Sequence, residues 1–357
     1  MTSSEHALLD AARRGDQDAY GALVEPRRAE LHAHCYRMLG SVHDAEDALQ
    51  DALLRAWRGL PRFEGRSSVR SWLFRIATNA CLDAMARRPA RMLPLDYGPE
   101  SDPREGPGRP LVESVWIEPY PDEHIGLPDG LAAPEARYEL RESVELAFVA
   151  ALQHLPPRQR AVMILREVLG FSAAEVAETL ETTTAAVNSA LQRARATIDE
   201  RLPAESQQAT ARALGDARLR AIVDEYVDAW ERGDVDAVVA MLAEEVTVTM
   251  PPMATWYRGR DRVRVFLADW AFAKRWTASR GRFEPGERRV RLIRTRANGQ
   301  TALAAYNRDP DDGRLRPYAL QVLTLRGDRI AQIDGFVTPA HFPAFGLPDV
   351  LDAPATG

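Results

Sequence analysis

Between Arg62 and Arg75 the chain alternates cations with aromatic rings: Arg62, Phe63, Arg66, Arg70, Trp72, Phe74 and Arg75. Aromatic faces stack on unpaired bases for about 1–3 kcal/mol per base, and guanidinium groups hold the strand's phosphates. Extruding a base costs a few kcal/mol, which contacts to its exposed edge can offset. The stretch is therefore suited to locally opened nucleic acid. Trp72, Leu73, Ile76 and Ala80 can equally be core. Phe74 and the loop Arg62–Val69 read better as base contacts, and Asn79, Asp83, Arg87 and Arg88 follow along the same predicted helix.

A second constellation lies about a hundred residues on. Ser172 and Glu175 open the run Phe171–Leu180 with the spacing of a capping box. Glu181-Thr-Thr predicts a turn, and Thr183 or Thr184 caps a second helix. Val187, Leu191, Ala194 and Ile198 make a buried stripe on it. That leaves small residues facing out, with Asn188, Ser189, Gln192, Arg193 and Arg195 beside them. Asn and Gln pair with adenine and Arg with guanine in the major groove, so this is a helix-turn-helix with its recognition helix second. Arg158 and Arg160, just upstream, are placed to hold phosphates.

A third pattern is acidic. Asp47, Gln50, Asp51 and Leu54 share one helical face. Such a face suits a basic protein partner, although on charge alone a solvated helix explains it better.

These patterns need scaffolds. The chain has 357 residues, enough for several domains with their own cores. It contains no apolar run long enough to span a membrane and no basic-then-apolar leader, and its two cysteines, Cys35 and Cys81, make no disulfide framework. A cytoplasmic address is expected. The net charge of −6 is unevenly spread, because residues 93–136 hold ten acids against Arg104 and Arg109. The same segment has nine prolines and five glycines, which makes it a linker by composition. The expected order is a helical domain at 1–92, this linker, a second helical domain at 137–202, a linker at 203–215, an α+β domain at 216–345 and a tail at 346–357. In the α+β domain two or three helices precede an antiparallel sheet, with Asn298-Gly299 and Gly327-Asp328 as hairpin turns.

The last domain carries Trp256, Tyr257, Trp270, Tyr306, Tyr318 and Phe336 as candidate lining of an apolar pocket for a small molecule. A catalytic site there would need a buried base such as Asp269, Asp334 or His341 and a tyrosine donor. Nothing in the sequence brings these to one point, so no enzyme activity, catalytic residue or cofactor is expected. His32-x-His34-Cys35 diverges on a helix, and no metal site is expected.

Asp44–Trp57 followed by Phe63–Asp83 resembles region 2 of the extracytoplasmic-function group of sigma-70 factors, and Leu155–Glu167 with the helix-turn-helix resembles region 4. Tyr226-x-x-Ala-Trp-x-x-Gly-Asp and Met250–Arg260 resemble a SnoaL-like cone. Together they resemble the large sigma factors of the sigma-J- and sigma-G-like kind. The resemblance implies docking of Asp47, Gln50, Asp51 and Leu54 on core RNA polymerase, through its β and β′ subunits. It implies −10 promoter contacts from Arg62, Phe63, Arg66, Arg70, Phe74, Asn79, Asp83, Arg87 and Arg88. It implies that Trp72 is core, because the helices of this family bury one aromatic there. It also implies −35 contacts from Arg158, Arg160 and the recognition helix with Thr183 and Thr184, an acidic linker threading the polymerase cleft, and a cone acting in cis. The rivals are a one-component helix-turn-helix regulator with a sensing cone, and a bifunctional protein with an isomerase- or cyclase-like cone.

Overall fold

The computed structural model describes residues 3–65, 67–111, 115–125, 139–272, 289–309 and 311–351. The chain divides into two compact units, one of residues 1–91 and 123–203, the other of 92–122 and 204–357.

The first unit is helical. Helices α1 (Ser3–Arg13), α2 (Gln17–Leu39), α3 (Val42–Gly59) and α4 (Val69–Met85) form a bundle in which α2, α3 and α4 all pack on one another. Their starts are set by side chains that satisfy free backbone donors: Asp16, Ser41 and Ser68 accept from the amides of Ala19, Asp44 and Ser71. Gly40, at φ 71°, ends α2 in the left-handed conformation that glycine adopts without strain. The chain returns as α6 (Leu146–Gln153), α7 (Pro157–Met163), a π-helical turn at Ile164–Val168, α8 (Ala173–Thr179) and α9 (Thr184–Asp199). The short α5 (Pro94–Tyr97) belongs to the second unit.

The two helical halves share a buried polar interface. Arg37 of α2 is 1% exposed and donates from Nε and Nη2 to the carbonyl and hydroxyl oxygens of Ser143. Arg160 of α7 is 2% exposed. It donates to the carbonyls of Met38, Gln153 and Leu155 and to Gln153 Oε1. Desolvation, partly offset by the neighbouring Cys81, lowers its pKa to about 10. This corrects the expectation for Arg160: it bonds protein carbonyls in the interior and presents nothing to a phosphate. Arg158, two residues earlier, is exposed.

The second unit is a six-stranded sheet packed under helices. Helix α10 (Gln207–Arg232) bends at Gly215, φ 74°, and begins inside the stretch expected as a linker at 203–215. Helices α11 (Val235–Met241) and α12 (Arg260–Phe266) complete the helical side. The strands are β1 (Leu242–Thr249), β2 (Trp256–Arg258), β3 (Val290–Ala297), β4 (Gln300–Arg308), β5 (Leu315–Arg326) and β6 (Arg329–Phe336). Their order is β2-β1-β6-β5-β4-β3. The sheet is not purely antiparallel as expected, because β1 runs parallel to β6. The turn at Asn298-Gly299 has φ 56° and 70°, the sign a two-residue type I′ hairpin requires.

Residues 92–111 and 115–122 form a strap on this second unit, which differs from the free linker expected at 93–136. Three indoles bind it. Trp256 Nε1 donates to the Gly98 carbonyl and Trp270 Nε1 to that of Pro103, while the strap's own Trp116 donates to Pro252, each at 2.9 Å. The Ser101 amide donates to the Trp256 carbonyl at 3.0 Å and covers the edge strand β2. At the far end Asn298 exchanges two hydrogen bonds with Tyr120, and Asp122 accepts from Arg296 and from the Gly299 amide. The composition that reads as a tether also suits an extended segment whose backbone bonds to side chains.

Two tests follow from this packing. Arg160→Ala should lower the unfolding free energy in urea by roughly 2–4 kcal/mol, because several buried acceptors lose their donor, whereas Arg158→Ala should change it by less than about 0.5 kcal/mol; equal effects would contradict the assignment. The second concerns Asp334, fully buried on β6, which accepts from Thr249 Oγ1 at 2.7 Å and from Gln332 Nε2. Burial raises its pKa to about 6 against an ordinary 3.8. The folded state thus favours the neutral acid, so its contribution is full below about pH 4 and is lost as pH rises through about 6. The loss is on the order of 3 kcal/mol. Asp334→Asn should flatten stability between pH 4 and 7, and an unchanged pH profile would contradict the burial argument.

Candidate nucleic-acid and partner interfaces

Helix α3 buries Ala45, Ala48, Leu49, Ala52 and Ala56 and turns the opposite face outward. Asp47, Gln50 and Asp51 are exposed there. Leu54, at 47%, is one of two large apolar side chains exposed among the described residues. Asp51 pairs with Arg55 at 2.7 Å and Gln50 donates to Glu46 at 2.9 Å. A single exposed leucine is ordinary at a protein surface, so the face is defined by its acids and amide with Leu54 beside them. The structure brings the four expected docking residues together.

The expected −10 residues divide. Arg62, Arg87 and Arg88 are exposed, and Asn79 is half-buried. Asp83 is tied to Arg55 at 2.7 Å and Arg88 to Asp44. Arg66 lies outside the described residues. Phe63 is buried, its ring 4.7 Å from Trp72 and its carbonyl bonded by Arg13. Phe74 corrects the expectation most sharply. At 1% exposed it is core, packed edge-on to His34 and to Phe171 of the other helical half. Trp72, expected as core, is only half-buried. The aromatic pattern alone could not tell a base-stacking ring from one that packs against another module.

Around Phe74 the arginines are engaged as well. Arg70 binds Glu30 through two nitrogens and donates to the Leu169 carbonyl at 3.3 Å. Its guanidinium lies 4.6 Å from the Phe171 ring centroid and 5.1 Å from that of Phe74. Ser71 donates to Glu175 at 3.2 Å. Arg75 sits 3.9 Å from Glu178 and 3.8 Å from Glu181. Glutamates at and after α8 thus occupy cations of the kind that would hold a nucleic-acid backbone. The sequence singled out Glu175 only as a cap and Glu181 only as part of a turn, and Glu178 not at all.

The helix-turn-helix follows its expectation closely. Ser172 and Glu175 form the capping box and Thr183 caps α9 through the Ala186 amide. Glu181 turns the chain with φ 50°. Val187, Leu191, Ala194 and Ile198 are buried; Thr183, Thr184, Asn188, Ser189, Gln192, Arg193 and Arg195 are exposed. Arg195 pairs with Glu167 at 2.8 Å, so its guanidinium steadies the helix rather than standing free.

In the second unit the six expected pocket aromatics do not share one face. Tyr257 belongs to the apolar core between sheet and helices, and Trp270 and Tyr318 pack against it. Trp256 and Phe336 follow the opposite strand phase, and Tyr306 packs on Phe342 and donates to the Pro348 carbonyl. Asp334 alternates with Ile333 of the core and so points away from it, His341 packs against Phe336, and Asp269 is exposed. Among the described residues no cluster of three or more His, Cys, Asp or Glu side chains could hold a metal. His34 is buried, bonded to Thr78 Oγ1 at 3.0 Å, with its pKa lowered by desolvation to about 3. No described helix is long and apolar enough to cross a membrane.

Comparison with known proteins agrees with this anatomy. Residues 23–91 match the model for sigma-70 region 2, residues 145–198 that for sigma-70 region 4, and residues 223–333 that for a SnoaL-like domain. The chain is 43% identical over 340 residues to the ECF RNA polymerase sigma factor SigG of Mycobacterium tuberculosis, covering 95% of this chain and 86% of that one. It is 27% identical over 196 residues to SigW of Bacillus subtilis, covering 54% of this chain and 94% of that one. Its fold is similar to the crystal structure of the Mycobacterium tuberculosis sigma factor SigJ, with a TM-score of 0.55 at 24% identity over 90% of this chain and 97% of that one. A helical unit with an outward acidic face and a helix-turn-helix, joined to a SnoaL-like sheet domain, places the chain in the family of extracytoplasmic-function RNA polymerase sigma factors.

Proposed function

We propose that this chain binds core RNA polymerase, directs it to promoters, and is modulated in cis by its C-terminal unit. The observation that carries the reading is the pairing, in one helical unit, of the Asp47, Gln50, Asp51 and Leu54 face with a recognition helix. That helix presents Asn188, Ser189, Gln192 and Arg193 to solvent. The first surface meets basic and apolar groups of the polymerase. The second reads the −35 element through base edges, with Arg158 on a phosphate.

In the free chain the −10 surface is covered. Arg70, Phe74 and Arg75 are held by Glu30, Leu169, Phe171 and the glutamates of the helix-turn-helix. Their use on DNA requires the helical halves to part, and polymerase supplies the free energy by binding the parted form better. Arg62, Asn79 and Arg87 are the −10 candidates that need no such change.

The strap gives the C-terminal unit its means of control. Residues 92–122 connect the two sigma regions, and their bonds to Trp256, Trp270 and Asn298 fix a stretch that would span about 100 Å when extended. Releasing it would lengthen the tether between promoter-reading modules. A non-catalytic role is favoured because Asp269, Asp334 and His341 do not converge on the helix-side core.

The docking face is tested by Asp47→Arg with Asp51→Arg. The folded double variant should lose association with core polymerase and run-off transcription; a one-component regulator would keep both its fold and its duplex binding, and intact polymerase binding would refute the docking role. The strap is tested by Trp256→Ala with Trp270→Ala, which removes two indole donors. Transcription at a fixed promoter should change several-fold with promoter choice unchanged, and an unchanged yield would remove the case for control through the strap.

A further inference from the structure

Where α2 and the end of α4 meet α6 and α7, the helical unit forms a partly open cavity of about 130 Å³. Its apolar wall includes Leu39, Met85 and Leu155. Its charged lining is unbalanced, with Arg88, Arg91 and Arg160 against the single acid Asp44. That carboxylate is already taken by Arg88 and by Arg91, the latter at 2.5 Å. Arg160 has no acid at all. Its terminal nitrogens are spent on carbonyl oxygens and Gln153, and its buried Nε–H finds no acceptor. A buried donor on a cation without a counter-charge is an expensive arrangement in a low-dielectric interior. Most interior guanidiniums are matched, as Arg91 is here.

We infer that this cavity is a binding site for a small organic anion: one carboxylate on a compact apolar body. The carboxylate offsets the excess positive charge of the three arginines. The apolar body covers Leu39, Met85 and Leu155. An apolar cavity of about 150 Å³ holds a benzene ring; this one is slightly smaller but partly open, with Arg88 exposed at its wall, so a body no larger than one ring fits with its carboxylate toward solvent. Because one wall belongs to each helical half, an occupant binds only while the halves are together, and it stabilises that arrangement by mass action. The inference goes beyond the sigma assignment and does not depend on it.

Calorimetric titration of the full-length free chain tests it, with benzoate as the probe and benzyl alcohol and inorganic phosphate in parallel. Benzoate should bind once per chain, with benzyl alcohol and phosphate at least about tenfold weaker, a difference of 1.4 kcal/mol or more. Ala84→Phe, which fills the cavity from the α4 side, should abolish benzoate binding. Arg88→Ala, at an exposed rim position and tolerable to the fold, should weaken it several-fold and serves if the larger substitution unfolds the chain. No saturable benzoate binding, equal binding of the three probes, or benzoate binding unchanged in folded Arg88→Ala would each overturn the assignment.

Discussion

The closed helical unit depends on two guanidiniums taken out of water. Arg37 and Arg160 sit between its halves, each tied to main-chain or side-chain oxygens of the opposite half or of its own turn. Groups of this kind specify one register, because any slip leaves a charged donor dry and unpaired. They add little net stability, because the same groups are well solvated once exposed. An interface built this way is specific in form and modest in strength, which is what two modules need if they must pack in one state and separate in another. The Phe74–Phe171 contact and the Arg70 guanidinium over the Phe171 ring join the halves at a second place.

The second unit solves a different problem. A sheet with a three-residue edge strand at β2 invites pairing with another chain. Here the acidic, proline-rich strap covers that edge, and its carbonyls receive indole N–H groups that would otherwise be buried without partners. Gly106, at φ 80°, lies so close to Trp270 that an added Cβ would come within 2.6 Å of the ring, so the strap's path is fitted to this domain. Connection and regulation can then reside in one segment.

Much of this was legible in the residues. The caps at Ser172 and Thr183 and the stripe from Val187 to Ile198 follow from local spacing, and local spacing is what a sequence records. The outward acidic face of α3 was visible for the same reason, since Asp47 to Leu54 lie within two turns. What could not be read was anything set by distant partners. Phe74 looks like a base-stacking ring until Phe171, about a hundred residues away, covers it. Arg160 looks like a phosphate clamp until the carbonyls of α2 and α6 surround it. The pocket aromatics were assigned by type, whereas strand phase puts Tyr257 and Trp256 on opposite faces. Residues 93–122 were read as free because acid and proline content reports low apolar burial and says nothing of backbone bonds to tryptophans elsewhere.

The central claim is that the free chain keeps its helical halves closed over the −10 surface and that polymerase opens them. Cys35 and Cys81 are fully buried, so spin labels on Arg58→Cys and Glu200→Cys, both at exposed positions, report the distance between the halves by pulsed electron resonance. The account predicts a single narrow short distance in the free chain that gives way to a longer one on adding core polymerase. An identical distribution with and without polymerase, or a broad one in the free chain, would contradict it.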